Sequence, residues 1–178
     1  MPEFNYESLL ETFGDTLEKL SEDTSKQSEE GNVYLTKSKT KVINFDNFSH
    51  SIAESINPNN RPASCDVLLK LNNYYYFIEF KNGRIDEDEQ YAIREKILES
   101  ILVFLEQINQ TISYSRNNCY FILVYNRNTV VKRNGLERIT NRIYNLIHLN
   151  KYEKMYLKRA FVYSIEDFNK FFIERYGL

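Results

Sequence analysis

Asp66, Glu79 and Lys81 are the residues of this 178-residue chain whose types and spacing could do chemistry together. They lie on two runs of strand-forming residues, Cys65 to Leu71 and Tyr74 to Phe80, separated by Asn72-Asn73. Asparagine tolerates positive φ, so the spacing predicts a hairpin with a two-residue type I′ turn. In that register Leu71 faces Tyr74, Leu69 faces Tyr76 and Asp66 faces Glu79, with opposed Cβ atoms roughly 4.5–5.5 Å apart. Side chains alternate along a strand, which puts Lys81 and Tyr75 on the face of Glu79. Val67, Leu69, Leu71, Tyr74, Tyr76, Ile78 and Phe80 point the other way, to a core. Two adjacent carboxylates raise each other's proton affinity, and an ammonium or a divalent cation relieves that cost. Hard cations such as Mg²⁺ or Mn²⁺ suit one or two carboxylates, a backbone carbonyl (here Phe80) and several waters. A cation so held polarises a phosphoryl oxygen while Lys81 orients a water, the requirements of phosphodiester hydrolysis. The plainer alternative is a strand-edge salt bridge between Lys81 and one acid.

Other elements must hold that hairpin. Leu9, Leu10, Phe13, Leu17 and Leu20 have helical spacing and predict one amphipathic helix over 4–20. Ser21 to Asn32 reads as a flexible acidic connection, and Val42 to Phe45 as a short strand. Asp46 is the expected N-cap of a helix to about residue 56, and Asn57 to Pro62 a loop. Asp86 with Glu89 resembles a capping box, opening a helix to about residue 110 with Ile93, Ile97, Leu98, Ile101, Leu102, Leu105 and Ile108 inward. Tyr120 to Tyr125 is a continuous apolar run, the pattern of a strand buried on both faces. Leu136, Ile139, Ile143 and Leu146 form a helical stripe, followed by a strand over 160–164 and a closing helix over 165–176. The fold class expected is α/β: one domain over 1–178, with a mixed central sheet flanked by helices. Within it, 1–31 is an N-terminal region, 42–126 the core and 127–178 C-terminal helices and a strand.

Cys65-Asp66-Val67-Leu68-Leu69-Lys70 followed by Phe77-Ile78-Glu79-Phe80-Lys81-Asn82-Gly83 resembles the signature of the PD-(D/E)XK nuclease superfamily, the restriction-endonuclease-like fold. The resemblance implies an αβββαβ core, onto which residues 42–126 can be laid. It implies that Asp66 and Glu79 bind the metal and that Lys81 assists the attacking water. It also implies a further Glu from a helix before the hairpin, with Glu54, Glu18 and Glu11 as candidates, and a polar residue from the following helix, Lys96, Ser100 or Gln90. Cys65 stands where a Pro often precedes the Asp. Many enzymes of this fold act as homodimers.

Charge is unevenly spread although the net is −2. Residues 1–31 carry nine acids against two bases, and 127–159 nine bases against two acids. The basic stretch could track phosphates through Arg127, Lys132, Arg133, Arg138 and Arg142, or form a solvated helix face. The acidic run Asp86 to Glu89 would repel a polyanion beside the site; a helix N-terminus also favours acids. Two cysteines exclude a disulfide framework and a four-ligand zinc site, and no apolar run approaches the roughly 20 residues of a membrane span. Without a basic, apolar leader the expected location is the cytoplasm. Three functions follow: a Mg²⁺- or Mn²⁺-dependent nuclease, with DNA as the first substrate; a catalytically idle protein of the same fold, binding a protein partner as an immunity, inhibitor or assembly subunit in a toxin or phage-defence system; or a nucleic-acid-binding module without catalysis.

Overall fold

A computed structural model describes residues 4–23, 33–57, 59, 61–126 and 136–178. Among the described residues the strands are β1 (Gly14–Thr16), β2 (Glu22–Asp23), β3 (Val33–Tyr34), β4 (Lys41–Asn44), β5 (Val67–Leu71), β6 (Tyr74–Lys81), β7 (Cys119–Tyr125) and β8 (Arg159–Ser164). The helices are α1 (Tyr6–Phe13), α2 (Leu17–Leu20), α3 (Phe45–Ile56), α4 (Glu87–Gln107), α5 (Ile112–Asn118), α6 (Leu136–Leu146), α7 (Leu149–Met155), α8 (Ile165–Phe168) and α9 (Glu174–Tyr176). A π-helical turn, Asn169–Ile173, joins the last two.

Six strands form one open sheet in the order β1-β4-β5-β6-β7-β8. Its first half is antiparallel, and β6, β7 and β8 are mutually parallel. The α/β class with a mixed sheet and flanking helices is therefore as expected. Both sheet faces are buried. On one, Leu68, Phe77, Phe121 and Leu123 pack against Ile93, Ile97, Ile101 and Phe104 of α4. On the other, Val67, Tyr76, Ile78 and Val124 pack against Phe168, Phe172 and Ile173. The sheet face carrying Glu79 is thus as much core as its reverse, because α4 lies over it. Among the described residues, no helix is long and apolar enough to cross a membrane.

Several local expectations change. The hairpin register is the one expected, but positive φ occurs at Asn72 (55°) and not at Asn73, so the turn is not type I′. The helix expected over 4–20 breaks at Gly14, which is extended (φ −74°, ψ 135°) and lets β1 pair with β4. A Cβ there would lie 2.0 Å from the Leu10 carbonyl oxygen, so the crossing needs glycine. Ser21 is buried, and Glu22–Asp23 pairs with Val33–Tyr34, so the start of the expected flexible connection is ordered; residues 24–32 lie outside the described residues. Asn44, not Asp46, caps α3, its Oδ1 accepting from the Asn47 N–H at 2.9 Å; Phe45 is accordingly helical rather than in a strand.

The helix after Asp86 stops at Gln107 rather than about residue 110. Asn109 turns left-handed (φ 50°), the Asn109 N–H donates to Glu106 and the Gln110 N–H to Leu105, at 3.2 and 2.9 Å. That is a Schellman stop with Asn in the usual glycine position. On α4 Leu102 is 58% exposed, so the inward face is narrower than the apolar count suggested. Leu146 likewise turns outward while Ile143 is buried, and the side chains of Leu136 and Ile139 lie outside the described residues. Helix α7, which buries Leu149 and Tyr152, was not expected from the sequence.

Candidate active site

Asp66 lies at the entry to β5, and neighbouring elements fix it from three sides. Its backbone carbonyl accepts from the Phe45 N–H at 3.1 Å, tying it to the start of α3. Before it, the Ala63 N–H donates to Glu99 Oε2 (2.7 Å) and the Cys65 N–H to Ser100 Oγ (2.8 Å), both on α4. Asp46 holds the same segment, pairing with Arg61 and accepting from Ser64 Oγ at 2.7 Å. Asp66 Oδ2 then accepts from the Phe80 N–H at 2.7 Å, replacing the ladder rung that would follow Val67–Ile78. A residue's N–H and C=O point to the same edge of an extended strand, so the Phe80 carbonyl also faces Asp66. The Cys65 N–H that could have met it has turned to Ser100.

Glu79 projects from β6 into the layer between sheet and α4 and is 1% exposed. Lys96, on the α4 stripe that also carries Ile93, Ile97 and Ser100, enters the same layer. Its Nζ donates to Glu79 Oε1 at 2.8 Å and lies 3.6 Å from Asp66 Oδ1. Lys81 Nζ is 3.7 Å from Glu79 Oε1 and 2.6 Å from Glu89 Oε2 in the first turn of α4. Glu79 Oε2 is buried with no hydrogen-bond partner. Two carboxylates thus share one ammonium closely and a second at longer range, and one carboxylate oxygen has spare capacity.

Burial, and secondly the charge of Asp66, push the Glu79 carboxyl up to about 8; the two lysines offset only part of this. Asp66 is raised as well, first by burial, with Lys96 and the Phe80 N–H opposing. With 28% of its side chain reaching solvent, Asp66 is the less buried of the two carboxylates. Burial works to lower Lys96, but Glu79 and Asp66 outweigh it and hold the ammonium above its ordinary range. Cys65 is buried and its thiol raised, by burial and then by Glu79, so it is no nucleophile.

Asp66, Glu79 and Lys81 therefore meet at the end of the hairpin as the register required. The upstream glutamates do not join them: Glu54 pairs with His50 (3.0 Å), Glu18 pairs with Lys39, and Glu11 is exposed on α1. Among the described residues no group of three or more His, Cys, Asp or Glu side chains could hold a metal. The oxygens available to a cation are those of Asp66 and Glu79 together with the Phe80 carbonyl. Of the α4 candidates, Lys96 reaches the carboxylates, Ser100 positions the Asp66 segment, and Gln90 lines a separate groove with Arg142. Glu89 went unrecognised because its spacing from Asp86 explained it as half of a capping box; Asp86 does cap α4, accepting from the Glu89 N–H at 3.1 Å. Arg127, Lys132 and Arg133, and the side chain of Arg138, lie outside the described residues. No protein-family model, curated protein or solved structure matches the chain.

Proposed function

We propose that the protein is a metal-dependent nuclease that hydrolyses phosphodiester bonds of nucleic acid at Asp66 and Glu79. One observation carries the reading: a buried Glu79 is forced against Asp66, leaving Oε2 unpartnered in a layer that contains two ammonium groups. A purely structural ion pair gains nothing from a second buried carboxylate, which adds desolvation cost and like-charge repulsion. Asp66, Glu79 and the Phe80 carbonyl would hold one hard divalent cation of the Mg²⁺ or Mn²⁺ type, a class of ion that accepts a few protein oxygens and keeps several waters. When bound, such a cation polarises a phosphoryl oxygen and makes water a better nucleophile.

The chain's own groups supply the rest. Asp66 and Glu79 would hold the cation, and the Phe80 N–H keeps one Asp66 oxygen from rotating. Lys96, the resident counter-ion of the pair, holds Glu79 Oε1 and keeps positive charge beside both carboxylates. Lys81 exchanges Glu89 for a phosphoryl oxygen and stabilises the charge that builds there. Water adds to phosphorus, one P–O ester bond breaks, and the products are a phosphate monoester and a hydroxyl.

The test is incubation of the wild type with plasmid, linear and single-stranded DNA and with RNA, in Mg²⁺, Mn²⁺ or EDTA. The expected result is metal-dependent cleavage that Asp66→Ala, Glu79→Ala and Lys81→Ala each abolish. Intact substrates in every wild-type reaction would overturn the proposal in favour of an idle binding protein.

A further inference from the structure

Near the carboxylates most polar side chains are engaged: Asp66, Glu79, Lys81, Glu89 and Lys96 bond one another, and Ser100 and Asp86 bond backbone. The opposite holds in an open surface groove of about 590 Å³ lined by Gln90, Asn141, Arg142, Asn145, Leu146 and His148. Gln90 is half-buried and the other four polar side chains are exposed, and among the described residues none of the five has a hydrogen-bond or ion-pair partner. Gln90 follows Glu89, the residue gripping Lys81, so the groove begins where the active layer ends. Its other wall is α6, held over the same end of the sheet by Tyr125, whose hydroxyl lies 3.2 Å from Thr140 Oγ1. Tyr125 is the β7 residue in register with Lys81. Asn141 and Asn145, like Arg142 and Leu146, are one helical turn apart and share one face of α6.

Among the described residues the lining contains no acid. It offers one guanidinium, three amides that both donate and accept, and an imidazole. His148, the residue that precedes α7, has a left-handed backbone (φ 58°, ψ 36°). A guanidinium pairs bidentately with phosphate, and amides pair with base edges. We propose that this cleft holds the nucleic-acid strand beside the scissile bond, with a phosphate on Arg142 and an unpaired base against Gln90, Asn141 and Asn145. The proposal rests on the nuclease reading and names its substrate as a strand whose bases are accessible.

Fluorescence anisotropy tests this with labelled single-stranded DNA, single-stranded RNA and duplex DNA of one mixed sequence, in EDTA and in Mg²⁺, each sample then run on a gel for cleavage. The variants are Arg142→Ala/Asn145→Ala, Arg142→Lys, and Lys170→Ala on the opposite side of the sheet. The expected result is tighter binding of single strands than of duplex. The double variant should bind at least about tenfold more weakly at unchanged Tm, Lys170→Ala within about twofold of wild type, and Arg142→Lys in between. The salt slope of the double variant should fall by about 0.7, one single-strand phosphate contact. Wild-type affinity in the double variant, with cleavage intact, overturns the cleft and leaves the carboxylate site standing. An oligonucleotide neither bound nor cut by the wild type overturns both.

Discussion

Lys96 decides the electrostatics of the site. It brings a positive charge into a layer where Glu79 has almost no contact with solvent, and it lies within 3.6 Å of both carboxylates. Removing one partner of a buried pair leaves the other uncompensated, so Lys96→Met should cost about 3 kcal/mol. Differential scanning calorimetry in EDTA should record the lower Tm, and saturating Mn²⁺ should recover part of it; a melt as high as the wild type's contradicts the counter-ion role. Acidity gives a second prediction. Glu79 titrates near 4.5 in the unfolded chain and near 8 in the folded one, raised by burial and then by Asp66. The folded state therefore binds a proton that the unfolded state has released. The stabilisation is complete below about pH 4.5 and is lost as pH rises through about 8. Metal-free wild type should melt at progressively lower temperature from about pH 5 to 8, with a shallower decline in Glu79→Gln. Parallel profiles for the two proteins would contradict the assignment.

Among the elements, α4 does most to build the site. Its first turn supplies Glu89, its middle Lys96, and its third quarter the Glu99 and Ser100 that hold the Asp66 segment. Asp86→Ala, which deletes its N-cap, should cost about 1 kcal/mol and loosen the turn holding Lys81; hydrogen exchange should quicken at residues 87–91 and not at 97–105. On the other side of the sheet's antiparallel half, Gly14→Ala would drive a methyl into the Leu10 carbonyl, for a cost of roughly 1–3 kcal/mol. A chemical denaturation curve overlying the wild type's would contradict that account.

The hairpin, its register and the meeting of Asp66, Glu79 and Lys81 were legible because strand alternation and a two-residue turn leave few other pairings. The break at Gly14 was not: the apolar residues of 4–20 keep helical spacing across it, and only the approach of the Leu10 carbonyl reveals the constraint. Lys96 had a visible signal, a cation on an apolar stripe with Ile93, Ile97 and Ile101, but its partners come from strands that sequence spacing does not place above it. Glu89 was hidden by a local pattern that explained it equally well.

The described residues form a sheet buried on both faces, with its charged layer at one end of β6 and Asn141, Arg142 and Asn145 of α6 beside it. A net charge of −2 coexists with this because the acids gather in the N-terminal region and at the start of α4. Glu87 and Asp88 lie near the proposed strand path, so Glu87→Gln/Asp88→Asn should tighten oligonucleotide binding severalfold at low salt, an advantage that fades as salt screens it. A loss of affinity on that substitution would place the strand elsewhere.

Isothermal titration of Mn²⁺ into metal-free protein tests the central claim most directly, because it asks the carboxylate pair itself for its ligand without requiring a substrate. The account predicts one site in the wild type, abolished in Asp66→Asn and in Glu79→Gln and retained in Glu54→Gln and Glu18→Gln. Wild-type protein that takes up no Mn²⁺, or takes it up equally well without Asp66 and Glu79, would contradict it.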